Sequence, residues 1–325
     1  MKKILVLLYH GVTNFKAGED NNLRNYNSKH LSKTIFENQI EQISKSCNVI
    51  STDELIKNWN AKMEYKKPTV VITFDDGFQN NFSIAKPILE KYKVPATFYI
   101  STGNITNQKI FWVDTLEIMF TDTVIKEIVP KNMPVISDLI SKDIQNLTLE
   151  SRANKIKILD KIKQKLKLCH PKKRNFFLDN VAKELEVENS YSVKNSHQDY
   201  SVLSWDELKK IKSNSLFTIG GHSRWHNILS KLKGKELQEE IYGSIKDIET
   251  NLGSFSRHYA YPEGQAEQFN LETIKILKKY GVKACPSAMQ GLAEKNTQNL
   301  FNFKRVMVGI DQTSSFYLKK YLSGM

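Results

Sequence analysis

The segment Thr69–Gly77 places two adjacent carboxylates, Asp75 and Asp76, directly after an apolar run that is typical of a buried strand. Burying a strand is favourable, but ending it in two negative charges is costly unless a partner compensates them. A metal ion would compensate both charges. Gly77 follows and lets the chain turn away from the strand. The segment therefore predicts a buried strand that delivers two acids to one polar site.

Strand-like runs alternate with helical patterns along most of the chain, which predicts an α/β fold. The predicted strands are Ile4–Tyr9, Val70–Phe74, Ala96–Ile100, Phe217–Gly220, His258–Tyr261, Gly281–Cys285 and Lys304–Val308. Helical periodicity covers Phe78–Tyr92, Gly234–Leu252 and Asn270–Tyr280, and two capping boxes, Ser51 with Glu54 and Ser204 with Glu207, indicate further helix starts. About seven short parallel strands with intervening helices suit a distorted (β/α) barrel at least as well as an open sheet.

A lysine-rich insertion interrupts this alternation at about 103–200, within what we expect to be a single domain over 1–325. Its segment 152–174 has an apolar stripe at three- and four-residue steps and faces only Asp160 as an opposing charge, so it predicts a basic amphipathic helix. Two interpretations stay open: a solvated helix face, or a peripheral surface for anionic membrane or a lipid-linked glycan. The net charge of +13 favours anionic partners in general. No nucleic acid is expected, because no motif with base-stacking aromatics accompanies the charge.

The cysteines and the N-terminus bear on localisation. Three widely separated cysteines, Cys47, Cys169 and Cys285, offer neither a disulfide framework nor a CxxC zinc site, which suits a reducing compartment. The apolar run Ile4–Tyr9 is shorter than a secretory signal requires and is followed by His10-Gly11 instead of a cleavage site. We therefore expect a cytoplasmic protein, at most peripheral at the inner membrane face.

Far downstream, His222 and His226 have the spacing of a metal-binding pair. Histidines at i and i+4 on one face of a helical turn can both reach a single ion. A carboxylate from the Asp75-Asp76 pair would be the third ligand and would leave a coordination position open for water, which is typical of catalytic sites. The pattern predicts a metal-dependent hydrolase.

Thr73-Phe74-Asp75-Asp76-Gly77 together with His222–His226 resembles the first two motifs of the polysaccharide deacetylase family, the NodB-homology carbohydrate esterases of family 4. The resemblance implies a distorted barrel and hydrolysis of the N-acetyl group of an amino sugar. Carried over, Asp76, His222 and His226 bind a divalent metal, most simply Zn²⁺ with Ni²⁺ or Co²⁺ as alternatives, and Asp75 is the general base. An acetamide carbonyl is a poor electrophile, so a Lewis-acidic ion beside an unbound carboxylate suits this chemistry.

The later family motifs depart from the common pattern. Where the family has R-x-P-[YF], this chain has Ala260–Gly264, so the arginine that supports the base is missing, although the amide of Glu263 could still serve the oxyanion. The C-terminal L-x-x-H motif is absent too, and Arg305–Val308 stands in its place. Tyr9-His10-Gly11 after the first strand resembles the branch in which the motif is permuted to the N-terminus. His10 is then the general acid.

The sequence thus predicts a metal-dependent deacetylase acting on an N-acetylated glycan, as a polysaccharide or as a lipid-linked intermediate of surface polysaccharide synthesis. Two alternatives remain. One is a NodB-type amidohydrolase for a non-sugar amide, for which the departures at Ala260 and Glu263 leave room. The other is a catalytically silent barrel that binds glycan or lipid.

Overall fold

A computed structural model describes residues 3–14, 23–59, 65, 67–140, 148–188, 195–295, 297–309 and 319. The chain divides into two compact units. The larger, called here the sheet unit, comprises 1–15, 27–108 and 201–325, and the smaller, the helical unit, comprises 16–26 and 109–200. The predicted single domain over 1–325 stays a prediction, and the parts of its insertion at 141–147 and 189–194 lie outside the described residues.

The sheet unit is built on a mostly parallel sheet. Its strands in chain order are β1 (Lys3–Tyr9), β2 (Gly11–Thr13), β3 (His30–Ser32), β4 (Asn48–Val49), β5 (Thr69–Phe74), β6 (Ala96–Ile100), β7 (Phe217–Gly221), β8 (Ala293–Glu294) and β9 (Val306–Met307). Seven of these form one sheet in the order β7-β6-β5-β1-β8, with β4 also paired to β5 and β9 to β1. Only β8 runs antiparallel to its neighbour in this sheet, and β2 and β3 form a separate parallel pair. The predicted α/β class is confirmed.

The central strand β5 is buried along its whole length, as its apolar sequence predicts. It lies between β1 and β6, with Leu7 opposite Ile72 and Ile72 opposite Ala96. Two of the predicted strands are reduced to single parallel bridges, which pair Gly221 with Tyr259 and His258 with Ala284. Among the described residues, the strand pairings form an open sheet and do not close into a barrel.

Helices flank the sheet strands and also build the helical unit. In chain order they are α1 (Lys33–Ser46), α2 (Thr52–Asn58), α3 (Lys86–Lys91), α4 (Thr102–Asn107), α5 (Trp112–Asp122), α6 (Pro134–Ile140), α7 (Arg152–Lys167), α8 (Pro171–Glu184), α9 (Trp205–Lys212), α10 (Gly234–Leu252) and α11 (Leu271–Lys279). The predicted helix from Phe78 begins instead with a π-helical turn, Asn81–Ala85, before α3. The capping box at Ser204 and Glu207 is complete, whereas Ser51 only accepts from the Glu54 amide.

The helical unit has its own apolar core. α5, α6, α7 and α8 contribute most of it, and α7 buries Ile158, Leu159, Ile162 and Leu166. The predicted basic face of α7 is correct only in part, because Lys163 is buried and its ammonium lies 3.7 Å from the Glu117 carboxylate. Asp160 is therefore not the only acid that opposes this charge. Among the described helices, none combines the length and the apolar composition that a membrane span requires.

Candidate active site

The carboxyl ends of four parallel strands meet at one edge of the sheet. His10 follows β1, Asp75 follows β5, Ser101 follows β6 and His222 follows β7. The Asp75 amide donates to the Tyr9 carbonyl at 2.9 Å, and the His222 amide donates to the Ile100 carbonyl at 2.9 Å. Edges of this kind are where ligands bind in α/β folds, because the strand ends expose side chains on fixed backbone.

Asp76 lies in a tight turn that separates the two aspartates. Its φ is 75°, and the Gly77 amide donates back to the Asp75 carbonyl at 3.0 Å, which is the hydrogen bond of a γ-turn. A non-glycine residue in this region is strained. The turn breaks the alternation of the strand, so the two side chains reach different partners. Residues held in such conformations concentrate at functional sites.

Asp76, His222 and His226 form a buried group, called here the metal group because its composition suits an ion, and its ligand atoms all lie within 4.8 Å of one another. Oδ1 of Asp76 is 3.4 Å from Nε2 of His222 and 3.1 Å from Nε2 of His226. Nδ1 of His222 lies 3.0 Å from the Ala260 carbonyl, which can only accept, so this nitrogen carries the proton. In the neutral imidazole, the lone pair on Nε2 then faces the carboxylate. Two acceptors facing each other need a cation between them, so the group fits a divalent metal.

The electrostatics of this group favour a bound cation. Burial alone would lower the pKa of His222, but the carboxylates of Asp75 and Asp76 outweigh it and raise the pKa. Burial would likewise raise the pKa of Asp76, yet Lys29 and the two histidines hold it well below its usual range. The site therefore keeps Asp76 ionised and attracts positive charge.

The predicted helical turn between the histidines is wrong. His222–His226 is an irregular loop in which Ser223 has φ 63° and His226 has φ 52°. Left-handed backbone at two positions, and not helical periodicity, brings the two imidazoles together with their ring centroids 5.0 Å apart. The i,i+4 spacing singled out two histidines whose rings do lie together, but the helical geometry expected for them was incorrect.

Surrounding side chains hold the histidine loop in place. Glu240 of α10 accepts from the Trp225 amide at 2.7 Å and from Nδ2 of Asn227 at 3.0 Å. The Tyr259 hydroxyl accepts from the Ser223 amide at 2.9 Å. Burial raises the pKa of Glu240 against these hydrogen bonds. The amides of Ser223 and Trp225 in the strained loop are thus satisfied by buried acceptors on neighbouring elements.

Asp75 lies outside the metal group and is held by Arg305. Nη1 of Arg305 donates to Oδ1 at 2.8 Å, and Nη2 donates to Oδ2 at 2.7 Å. Arg305 is fully buried, and its Nε donates to the Ser287 carbonyl at 2.8 Å. The bidentate geometry fixes the orientation of the carboxylate. Arg305 stands immediately before β9, so the supporting arginine comes from the sheet strand beside β1 and not from the Ala260 segment.

Sequence reasoning did not assign this role to Arg305. The signal was present, since a lone arginine begins the apolar run Val306–Val308 of a predicted core strand. A buried positive charge at that position needs an acidic partner. Because β9 and β5 both pair with β1, the start of β9 lies near the end of β5, where Asp75 stands.

His10 lies within electrostatic reach of the metal group. Burial lowers the pKa of His10 to about 4, and Lys29 adds to this, while Asp76 and Asp75 oppose it. Its Nδ1 has no hydrogen-bond partner among the described residues. The imidazole is therefore neutral at pH 7 in the metal-free protein. The structure brings His10 to the same strand-end edge as Asp75 and Asp76.

Glu263 lies in a turn beyond Ala260. Both Glu263 and Gly264 have positive φ, 61° and 68°, and the Ala288 amide donates to the Gly264 carbonyl at 2.9 Å. The Ala260 carbonyl, three residues earlier, is the one that His222 contacts. The turn is thus connected to the metal group through its preceding strand. The oxyanion role of the Glu263 amide stays a prediction.

The sequence matches known proteins in one family. A family model described as "Polysaccharide deacetylase" matches residues 62–285. Poly-beta-1,6-N-acetyl-D-glucosamine N-deacetylase of Staphylococcus aureus is 31% identical over 94 residues, which are 29% of this chain and 31% of that protein. The match thus spans less than a third of the curated relative.

Solved structures share the fold over nearly the whole chain. Streptococcus pyogenes deacetylase PplD, determined in complex with acetate, has a TM-score of 0.60 at 16% identity and covers 98% of this chain and 97% of its own. IcaB from Ammonifex degensii has a TM-score of 0.57 at 15% identity over 99% of this chain and 97% of its own. The predicted NodB-like fold is confirmed at the level of overall architecture.

Proposed function

The chain belongs to the polysaccharide deacetylase family, and from that premise we propose that it hydrolyses the N-acetyl group of an amino sugar in a glycan, with a divalent metal as cofactor. The observation that carries the proposal is that the two aspartates after β5 have different partners. Asp76 joins His222 and His226, whereas Asp75 is held apart by Arg305. A silent binding barrel has no need of an oriented base beside a metal group.

Asp76, His222 and His226 would hold the metal, which we propose to be Zn²⁺ because imidazole and carboxylate in a three-residue set suit that ion. When bound, the ion polarises the acetyl carbonyl and lowers the pKa of water. Asp75 accepts a proton from the water that attacks the carbonyl carbon, since Arg305 fixes its orientation without occupying every lone pair. The Glu263 amide is proposed to donate to the oxyanion.

We propose that His10 protonates the departing nitrogen as the C–N bond breaks, so that acetate and a free amine leave. A neutral imidazole has to gain a proton before it can give one. The attacking water is the source, through Asp75, and the imidazole returns to its neutral form after the transfer. We propose on this basis that the chain belongs to the branch whose acid motif precedes the first motif, and the position of His10 after β1 supports this.

The substrate we propose is a poly-N-acetylglucosamine-type glycan, because the name of the S. aureus relative specifies one. A lipid-linked intermediate processed at the inner membrane face is the finer form of this proposal. Exposed Leu168 and Phe176, at 69% and 62%, stand beside the lysines of α7 and α8 and would suit a peripheral contact with anionic lipid. Charge reversal at Lys172 and Lys173 should then abolish binding to anionic vesicles, and unchanged binding would remove this finer proposal.

Acetate release from β-1,6-linked N-acetylglucosamine oligomers, with and without a chelator, tests the function. We expect release that stops on chelation and returns with Zn²⁺. Asp75→Asn should retain zinc and lose turnover by about a hundredfold or more, whereas Asp76→Asn should lose zinc. The isosteric changes are matched controls for each other. No chelator-sensitive release from any amino-sugar substrate would contradict the deacetylase.

A further inference from the structure

Lys29 contacts the side of Asp76 that faces away from the histidines. Its Nζ lies 3.0 Å from Oδ2 of Asp76, while Oδ1 faces Nε2 of His222 and of His226. The side chain of Lys29 is only 12% exposed. The two oxygens of this carboxylate are therefore divided between a lysine and the metal group.

The backbone around Lys29 is fixed, so the contact is not that of a loose surface side chain. Lys29 immediately precedes β3, and His10 immediately precedes β2, while the parallel register pairs Gly11 with His30. His10 and Lys29 therefore emerge side by side from the same two-stranded sheet. The Lys29 amide donates to Oδ1 of Asn27 at 3.1 Å.

The ammonium group of Lys29 also contacts an aromatic ring. It lies 4.5 Å from the ring centroid of Phe78, two residues beyond Asp76. This distance is typical of a cation–π contact. The contacts with the ring and with the carboxylate together give the positive charge a defined position beside the metal group.

We propose that Lys29 is a positioning residue of the active site, which keeps Oδ2 of Asp76 occupied and withdraws negative charge from the carboxylate that faces the metal. Resting on the proposed function, this inference has two consequences. First, only Oδ1 would be available to the ion. Second, the ion would bind less tightly than it would to a carboxylate without the lysine, and it would remain more electron-poor. Lys29 thus lowers the affinity of the site for the metal and raises the Lewis acidity of the bound ion, which is the property that amide hydrolysis needs.

The test compares Lys29→Met with the wild type in zinc affinity and in turnover. Zinc affinity is measured on metal-free protein by competition with a chromophoric chelator, without substrate. We expect zinc to bind roughly tenfold more tightly to Lys29→Met, because a positive charge near the ion is gone. At saturating zinc, kcat should fall at least about tenfold. Lys29→Arg should keep the wild-type affinity, since it keeps the charge.

Lys86→Met is the matched control. The Lys86 side chain is 17% exposed, and its Nζ lies 2.7 Å from the Glu90 carboxylate and 5.7 Å from the Phe82 ring centroid. Lys86 therefore makes the same two kinds of contact as Lys29, but at a place away from the metal group. It should leave zinc affinity and kcat unchanged. Lys29→Gln provides a second neutral variant in case Lys29→Met does not fold, as judged by circular dichroism.

Two results would overturn the inference: zinc binding that is weaker or unchanged in the neutral variants, or a kcat at saturating zinc equal to that of the wild type. Failure of the proposed function is distinguishable from either. If the wild type releases no acetate from any glycan, the deacetylase is contradicted, while the substrate-free zinc affinities still decide the role of Lys29.

Discussion

Arg305 and Asp75 form a buried bidentate ion pair although 230 positions separate them in sequence. Both are almost fully excluded from solvent, and Nη1 of Arg305 also donates to the Thr73 hydroxyl at 3.2 Å. The pair joins the end of β5 to the start of β9 across β1. It fixes the acid that we propose as base without drawing it into the metal group.

Replacing Arg305 should damage both stability and catalysis. Arg305→Met leaves Asp75 buried and unpaired, which typically costs about 3–5 kcal/mol. Arg305→Lys keeps the positive charge but loses the two parallel hydrogen bonds of the guanidinium group. We therefore expect kcat to fall about tenfold to a hundredfold, with a smaller loss of stability than in Arg305→Met. Steady-state kinetics and urea unfolding measure the two effects.

The control for Arg305 is Lys3→Gln. It removes an exposed ion pair with Glu294 at 3.0 Å, and exposed pairs contribute at most about 1 kcal/mol. Wild-type kcat in Arg305→Lys would show that the orientation of Asp75 is irrelevant to turnover.

Glu240 should control metal binding from outside the metal group. Glu240→Gln keeps one acceptor but turns the other into a donor, which then faces the Trp225 amide or Nδ2 of Asn227. We expect the loop to loosen and zinc affinity to fall about tenfold to a hundredfold. Equilibrium dialysis with zinc measures the change. An exposed acid on the same helix, Glu239→Gln, is the control, and equal affinities in the two variants would contradict the assignment.

Gly103 permits the close approach of the histidine loop. A Cβ at this position would lie 2.7 Å from the Arg224 carbonyl oxygen and 2.7 Å from the Trp225 ring. Gly103→Ala should therefore displace the loop, lower zinc affinity and change the tryptophan fluorescence, at a cost of about 1–3 kcal/mol in stability. Gly243→Ala meets Arg224 through its flexible side chain at 3.1 Å and should be far milder. Similar zinc affinities for both variants would refute the steric argument.

Glu117 should make the stability of the helical unit pH-dependent. Burial raises its pKa from 4.5 to about 7, although Lys163 opposes the shift. Below about pH 4.5 the folded and unfolded states are both protonated. Between about pH 4.5 and 7 the unfolded state ionises first, so stability falls as the pH rises, by roughly 3 kcal/mol at most, and then levels off.

Hydrogen exchange of peptides from α5 and α7 at pH 5 and pH 8 measures this effect, after correction for intrinsic exchange rates. Glu117→Gln should remove most of the difference in local opening free energy, because the amide does not ionise. Glu41→Gln, which lies on α1 outside the helical unit, should leave the difference unchanged. A wild-type protein that is equally protected at both pH values would rule the explanation out.

The chemistry-bearing motifs were predictable from sequence because they rest on local pattern. The apolar run before Asp75 gave β5 and its carboxyl end, and the apolar periodicity of α10 gave its bounds, Gly234–Leu252. A carboxylate partner for His222 and His226 followed from residue types that suit one ion, and the choice of Asp76 followed from the resemblance to the polysaccharide deacetylase family.

What the sequence could not supply depends on backbone conformation and long-range pairing. The histidines converge through positive φ at Ser223 and His226, which residue propensities disfavour. Arg305 reaches Asp75 only because β9 and β5 flank the same strand. Lys29 precedes a strand of three residues, too short to recognise from its pattern.

The distance along the chain between Asp75 and Arg305 also has a consequence for biosynthesis. A ribosome that adds about 5–20 residues per second makes the two acids of β5 roughly ten to fifty seconds before their guanidinium partner emerges. Until then β1, β5 and β6 can assemble, but Asp75 has to stay hydrated. The acid end of the sheet therefore loses its water late, because the nascent chain cannot form the ion pair between Asp75 and Arg305 until synthesis has passed β9.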